Sequence, residues 1–130
     1  MTLRHRVLAG LLSASAALSG CSSDSSGPVA ATLDVSFTTT ASDDGAVLFT
    51  VAGGPVDSVE APGYRLYTAQ INPTTLRVVV AGNLRAGTIA RIHIADGRRL
   101  SQYSATVNQV AARGSYAQRD PVSYSLSVAQ

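Results

Sequence analysis

Cys21 carries the most distinctive chemistry in this chain. It is the only cysteine among the 130 residues, so its thiol has no disulfide partner within the chain and is available as a nucleophile. Leu18, Ser19 and Gly20 stand before it, and the last two have side chains small enough for the backbone to lie extended in a peptidase cleft. An apolar run over residues 7–18 leads into this motif. The spacing predicts proteolysis immediately before Cys21 and modification of its thiol.

The apolar run is too short to cross a membrane as a helix. It begins after Arg4 and Arg6 and has 12 residues, or 15 if it is extended to Cys21, whereas a membrane-spanning helix needs roughly 20. The segment that follows, Ser22–Pro28, is polar and breaks helices, so it cannot lengthen the run. We therefore predict that residues 1–20 are a cleaved signal peptide.

Position, charge, apolar length and the final cysteine together resemble the lipobox of bacterial lipoprotein signal peptides. The resemblance covers residues 1–21 and implies cleavage between Gly20 and Cys21. It further implies a diacylglyceryl thioether on Cys21 and usually an N-acyl chain such as palmitate, and two or three acyl chains make a durable membrane anchor. Ser22 stands where an aspartate would resemble an inner-membrane retention signal, which favours the outer membrane. The mature protein is thus predicted to be a cell-envelope lipoprotein with a flexible linker over residues 21–30.

Metal and cofactor chemistry has little support in the sequence after the signal peptide. His93 is the only histidine there, so no local motif supplies the three or four closely spaced ligands of a zinc site. Asp43, Asp44 and Gly45 resemble part of a calcium loop, but the alternate spacing of ligands through such a loop is missing, and a turn fits better. We expect no metal and no cofactor, with His93 on the outer face of a strand.

Catalytic motifs are equally weak. The sequence has no Gly-x-Ser-x-Gly elbow. Only one histidine follows the signal peptide, and no motif places it beside a serine and an acidic residue as a catalytic triad requires. Asp57 and Glu60 are spaced as a carboxylate pair for glycoside cleavage could be, but Pro55 and Pro62 on either side indicate an exposed edge or loop. We predict a protein that is not an enzyme.

Tyr64, Arg65 and Tyr67 form a possible ligand surface. Tyrosine rings beside an arginine stack on sugars or hold anionic groups. In a regular strand Tyr64 and Tyr67 face opposite sides of the sheet, so we expect one to be in the core and only the other to be available. The absence of tryptophan makes a carbohydrate platform less favoured.

The charge balance excludes nucleic-acid binding. Removal of residues 1–20 leaves 110 residues with 8 arginines, no lysine and 8 acidic residues, so the formal net charge of the mature chain is zero. A nucleic-acid-binding domain needs a clustered excess of basic charge.

A period-two alternation of apolar and polar residues begins after residue 30 and predicts strands. The predicted strands cover residues 31–38, 46–52, 56–60 as a short edge, 64–71, 76–80, 88–94, 103–108 and 122–128, the last with Val122 on its inward face. Turns are predicted at Asp43–Gly45 and Asp96–Gly97, and residues 109–118 are predicted as either one helical turn or the crossover of a Greek key. The pattern predicts one all-β domain over residues 31–130, an antiparallel Ig-like or cohesin-like β-sandwich of seven to nine strands.

The order of elements from Gly45 to Ile94 is similar to the middle of cohesin-like modules. A valine-rich strand over residues 75–81 leads through a glycine-containing loop to the alternating aliphatics of residues 88–94, and residues 45–51 resemble the early cohesin strand. The Tyr-Asp-Pro element that is frequent in cohesins is absent after Val51. The resemblance therefore implies the sandwich architecture and no binding residue.

Three functions are compatible with these observations. The first, which we favour, is a structural or protein-interaction module that presents its loops or an edge strand to another envelope protein. The second is a carbohydrate-binding module, which would need Tyr64 or Tyr67, Tyr103 and Tyr116 on one exposed face. The third is an enzyme, which would need a deep polar pocket around His93 or the predicted carboxylate pair.

Overall fold

Two antiparallel β-sheets pack face to face over residues 27–130, the part of the chain that the computed structural model describes. In this part the strands are β1 (Ala31–Thr38), β2 (Asp44–Ala52), β3 (Ser58–Glu60), β4 (Arg65–Asn72), β5 (Thr75–Ala81), β6 (Gly87–Ile94), β7 (Ser104–Ala112), β8 (Gln118–Arg119) and β9 (Ser125–Ala129). The predicted signal peptide (residues 1–20), the cleavage site between Gly20 and Cys21, and the lipidated Cys21 lie outside the described residues.

The first sheet has the strand order β3-β6-β1-β9, and the second has the order β4-β5-β2-β7-β8. The alternation in the sequence produces this arrangement, because successive side chains on a strand point to opposite faces. On β1, for example, Leu33, Val35 and Phe37 are buried between the sheets while the residues between them are partly exposed. The prediction of an all-β antiparallel sandwich of seven to nine strands is confirmed.

The segment predicted as a turn at Asp43–Gly45 instead begins a strand. Asp44 is the first residue of β2, and its side chain is fully buried. Gly45 produces a bulge there, since Asp44 pairs with Ala112 and Ala46 with Ala111 across the β2–β7 ladder. A Cβ atom on Gly45 would lie 2.7 Å from the Cα of Arg113, so only glycine allows the two strands to approach so closely.

A predicted turn and the start of a predicted strand also differ from the sequence-based expectation. Asp96 caps a 3-10 helix over Gly97–Gln102 by accepting a hydrogen bond from the backbone N–H of Arg98 at 3.1 Å, in place of a hairpin turn. Val122 lies in a 3-10 turn over Pro121–Ser123 and is 87% exposed rather than inward-facing. In both cases an aspartate side chain accepts a hydrogen bond from the backbone N–H two residues later, Asp96 from Arg98 and Asp120 from Val122. This contact favours a turn over an extended strand.

Residues 109–118 form neither a helical turn nor a crossover. β7 continues through them to Ala112, and a tight hairpin turn then leads to β8, which pairs Ala111 with Gln118. A register shift at Leu48/Phe49, opposite residues 107–109, disrupts the period-two pattern of β7. The first half of β7 was predicted, but its continuation to Ala112 was not evident from the sequence.

The sandwich has two poles. The N-terminal pole is the end where β1 begins and β6 ends, since Ala31 pairs with Ile94. The distal pole is the opposite end, where β1 ends at Thr38 and β6 begins at Gly87. The eight residues of β1 separate the poles by about 23 Å at roughly 3.3 Å per residue.

A hydrogen-bonded network at the distal pole surrounds the buried Asp44 carboxylate. Its oxygens accept hydrogen bonds from the hydroxyls of Thr39 at 2.6 Å and Tyr124 at 2.9 Å, and Nη1 of Arg119 lies 3.5 Å away. Burial raises the pKa of the Tyr124 phenol, which therefore keeps its proton and donates at neutral pH. The same ring stacks on Phe37 with centroids 5.6 Å apart, so the network is joined directly to the core.

Replacing Asp44 by alanine is expected to lower the free energy of unfolding by about 3 kcal/mol, because the partly buried hydroxyls of Thr39 and Tyr124 lose their acceptor. Tyr124→Phe keeps the stacked ring and removes one donor, so we expect a loss of about 1.5 kcal/mol. Denaturant titration of the full-length protein measures both. Asp34→Ala serves as the control, because Asp34 pairs with Arg91 at 3.3 Å on the exposed surface and should cost less than about 0.5 kcal/mol. An Asp44→Ala loss no larger than that of the control would contradict the prediction.

Candidate ligand-binding cleft

A cleft of about 770 Å³ opens at the distal pole beside the five-stranded sheet. Three tyrosines, two arginines and an asparagine supply its larger side chains, namely Tyr64, Tyr67, Tyr116, Arg65, Arg113 and Asn83. These residues come from the start of β4, the loop after β5 and the hairpin between β7 and β8. The cleft is within the size range of small-molecule sites, and it combines aromatic surface with convergent polar groups.

The predicted ligand surface forms one wall of this cleft. Arg65 and Tyr67 point outward from the edge strand β4, opposite Ala81 and Val79 of β5, and 59% of Tyr67 is exposed. Tyr64 is partly buried and packs against the core. The sequence predicted one tyrosine in the core and only the other available; Tyr64 does pack against the core, but it also lines the cleft with Tyr67.

Gly82 allows the Tyr64 ring to lie at the base of this wall. Its φ of 147° is one that side chains rarely tolerate, and its N–H donates to the carbonyl of Gly45 at 2.9 Å. A Cβ atom at this position would approach the Tyr64 ring to 3.0 Å. The absent side chain thus provides room for the ring.

Tyr116 stands on the opposite wall in a strained backbone conformation. It is the only residue other than glycine with positive φ in the described part of the chain, at 58°, and 79% of it is exposed. Its N–H donates to the carbonyl of Ala112 at 3.1 Å, which closes the hairpin. A bulky residue is rare in the left-handed region of positive φ, where it costs about 1 kcal/mol or more of folding free energy. Such backbone strain is found most often at functional sites.

Arg113 is fixed in the cleft by contacts at both ends. Its guanidinium Nη1 donates to Oδ1 of Asn83, and its backbone N–H donates to the carbonyl of Asp43 at 2.6 Å. The carbonyl of Asp44 accepts from the N–H of Leu84 at 3.1 Å, which holds the loop that carries Asn83. The buried Asp44 and its neighbour therefore position two of the walls of the cleft.

A shallow groove of about 200 Å³ lies next to the cleft on the outer face of the five-stranded sheet. The strand register aligns small residues there, pairing Ala81 with Ala46 and Ala46 with Ala111. The next row aligns larger ones, pairing Val79 with both Tyr67 and Leu48. The row of alanines therefore forms a shallow groove that runs across the strands, and the adjacent row of larger apolar side chains forms one side of it.

Another cavity, of about 380 Å³, lies between β7 and β9 and is a weaker candidate. It is lined by apolar and hydroxyl side chains such as Val107, Val122 and Leu126, with no arginine, histidine or carboxylate. It offers a ligand no charged group to orient against, so we assign no function to it.

His93, Asp57 and Glu60 do not line the cleft, whereas Gly45 does. His93 is on the outer face of the four-stranded sheet, as predicted, with Nδ1 3.0 Å from the Thr32 hydroxyl. Its Nε2 is 3.2 Å from Oε1 of Glu60 without the alignment of a hydrogen bond. Asp57 is exposed just before β3, and its N–H donates to the carbonyl of His93. Glu60 thus contacts His93 rather than forming a pair with Asp57.

Tyr103 does not join the other tyrosines. Its ring packs against Gly54, and its hydroxyl donates to the carbonyl of Pro55 at 2.6 Å near the N-terminal pole. The exposed face that a carbohydrate module was expected to need, with Tyr103 on it, is therefore not formed, and Tyr64, Tyr67 and Tyr116 line the cleft without Tyr103. The sequence analysis did not identify Arg113 or Asn83, since they reach the cleft only through the ends of β7 and β5.

Residues 27–130 contain no group of three or more histidine, cysteine, aspartate or glutamate side chains placed to hold a metal ion. Over the same residues, none of the helical segments has the length and apolar character needed to cross a membrane. No protein-family model, curated protein or solved structure matches this chain. The function is therefore inferred from the geometry of the cleft.

Replacing Tyr116 by asparagine is expected to raise the free energy of unfolding by about 1 kcal/mol, because asparagine tolerates positive φ far better than a large aromatic residue. Tyr116→Phe keeps both the ring and the strain, and should leave stability unchanged. Denaturant titrations of the two variants beside the wild type test this. Equal stability of all three proteins would show that the hairpin imposes no strain at this position.

Proposed function

We propose that the protein is a lipid-anchored cell-envelope module that binds a glycan in the tyrosine-lined cleft and has no catalytic role. The observation that carries this proposal is the convergence of Tyr64, Tyr67 and Tyr116 with two arginines in one cleft. Tyrosine offers a rigid apolar face for the C–H surface of a sugar ring and a hydroxyl at its rim. Arginine and asparagine side chains supply hydrogen bonds to the hydroxyl groups of the sugar.

Binding without catalysis is supported by the composition of the cleft. The residues that line it include no carboxylate and no imidazole, which are the usual general acids and bases of hydrolases. The flat row of Ala46, Ala81 and Ala111 beside the cleft suits an extended chain rather than a single enclosed molecule. We therefore propose that the ligand is an oligosaccharide or polysaccharide chain.

The positions of the cleft and of the proposed anchor are mutually consistent. β1 begins at the N-terminal pole, and the preceding Val29 is held there because its carbonyl accepts from the N–H of Gly97 at 2.8 Å. Eight residues from Cys21 to Pro28 would span at most about 26 Å when extended. With an acylated Cys21 in the membrane, the linker would enter the domain at the pole opposite the cleft. A ligand in the surrounding matrix would then reach the cleft directly.

A protein partner is the second candidate, and the edge strand β4 favours it. One side of β4 pairs with β5, and the other side is open among the described residues. Its segment Leu66–Asn72 carries no charge and no proline, and 52% of Ile71 is exposed. Natural sheets usually protect such an edge, so an extended segment of a partner protein could add to it as a further strand.

Glycan binding is tested with an oligosaccharide array probed by full-length protein in a detergent that contains no sugar. We expect saturable binding, and we expect Tyr67→Ala and Tyr116→Ala each to weaken it by about ten-fold or more, as for a central aromatic contact. Ile71→Ala is the matched control, since it removes an exposed apolar side chain from the same strand outside the cleft. Absence of binding to any glycan, or an equal loss in Ile71→Ala, would contradict the proposal.

The anchor is tested by metabolic labelling with palmitate and by intact mass spectrometry. We expect a mature chain that begins at an acylated Cys21, no label in Cys21→Ser, and unchanged labelling in Ser23→Ala. Globomycin, which blocks the lipoprotein signal peptidase, should cause the lipidated precursor to accumulate. A mature protein that keeps residues 1–20, or one without acyl chains on residue 21, would overturn the anchor.

A further inference from the structure

Half of the arginines in residues 27–130 pair with carboxylates and half do not. The paired ones have nitrogen–oxygen distances between 2.6 and 3.7 Å, and they are Arg91, Arg98, Arg99 and Arg119. The others form no ion pair within this part of the chain, and they are Arg65, Arg77, Arg85 and Arg113. Two of these four line the cleft.

The two sheets differ in the charges that they present to solvent. On the four-stranded sheet, both acidic residues of the strands have a basic side chain beside them, since Asp34 pairs with Arg91 and Glu60 lies against His93. The strands of the five-stranded sheet contain a single acidic residue, Asp44, which is buried and points inward. The exposed Arg65 and Arg77 of this sheet are therefore not neutralised by an acidic residue of its strands, and Arg65 lines the cleft.

The two arginines of the cleft are placed to bind an anion. Arg113 uses one guanidinium nitrogen to hold Asn83, which fixes the group and leaves its other N–H donors available. Arg65 is exposed at the start of β4, two residues from Tyr67 and on the same face of the strand. Guanidinium groups bind carboxylate and sulfate oxygens in pairs, and a preorganised one loses less entropy in doing so.

We propose that the glycan bound in the cleft is acidic, and that Arg65 and Arg113 recognise its carboxylate or sulfate groups. This inference rests on the proposed glycan-binding function and adds the class of sugar to it. The tyrosines contact the faces of the sugar rings, while the arginines select rings that carry a negative charge. Because no carboxylate lines the cleft, such a ligand meets no charge repulsion there.

Isothermal titration of the full-length protein with three oligosaccharide sets of equal length tests this inference. The sets are neutral galacto-oligosaccharides, oligogalacturonates and sulfated galacto-oligosaccharides. We expect the acidic sets to bind at least about ten-fold more tightly than the neutral set, and the tighter of the two identifies the anionic group. Raising NaCl from about 0.05 M to about 0.5 M should weaken only the acidic sets, because salt screens their attraction to the arginines.

Arg65→Gln and Arg113→Gln should each reduce affinity for the tighter acidic set by about ten-fold. Neutral binding should weaken much less, because glutamine still hydrogen-bonds the hydroxyl groups of a sugar. Arg77→Gln is the matched control: it removes the same charge from the same sheet outside the cleft, and we expect less than a two-fold change. Thermal unfolding verifies that each variant is folded. If Arg113→Gln is unfolded, Arg65→Gln, whose residue lies on an exposed strand, still tests the role of the arginines.

Equal affinity for neutral and acidic sets would overturn this inference and leave glycan binding in place. An Arg77→Gln effect as large as that of Arg65→Gln would also overturn it, because general charge would then account for the preference. Absence of binding to all three sets and to the wider array would overturn the proposed function itself.

Discussion

Burial of one carboxylate organises the distal pole of this sandwich. A buried carboxyl group needs hydrogen-bonding partners, and Asp44 accepts from the hydroxyls of Thr39 and Tyr124, which lie far from each other in the chain. The hydrogen bonds therefore hold the end of β1 and the start of β9 beside Asp44. The main chain of Asp43 and Asp44 then holds the loop after β5 and the hairpin after β7. The loops of this pole are therefore fixed by electrostatics as much as by apolar packing.

The hydrogen bonds of Asp43 and Asp44 set the positions of the loops that form the cleft, although the cleft itself lies outside the core. Its tyrosines and arginines lie on the outer face of the five-stranded sheet or on loops, whereas stability comes from the apolar layer between the sheets and from the network around Asp44. Substitution of an exposed residue such as Tyr67 removes a contact surface without opening a cavity. The proposed glycan binding is thus expected to be separable from folding in this domain, apart from the hairpin at Tyr116, where backbone strain links them.

The architecture was predictable from the sequence, because the alternation of Leu33, Val35 and Phe37 and similar runs directly encodes a buried and an exposed face. The prediction was wrong where one residue shifts the register, as at Gly45 and in β7, or where an aspartate captures a backbone N–H. The candidate surface over residues 64–67 is local in sequence and was identified as such. Arg113 and Asn83 join it only through strand pairing, which a single sequence does not reveal.

The place of β1 has a mechanical consequence. It lies between β6 and β9, hydrogen-bonded on both sides, and runs from the N-terminal pole to the distal pole. In a lipid-tethered chain whose cleft grips a fixed polymer, tension would pass along the axis of β1. The ladders on its two flanks would then be loaded together in shear rather than opened one bond at a time. The strand nearest the tether would thus resist a steady pull between the cell and its surroundings.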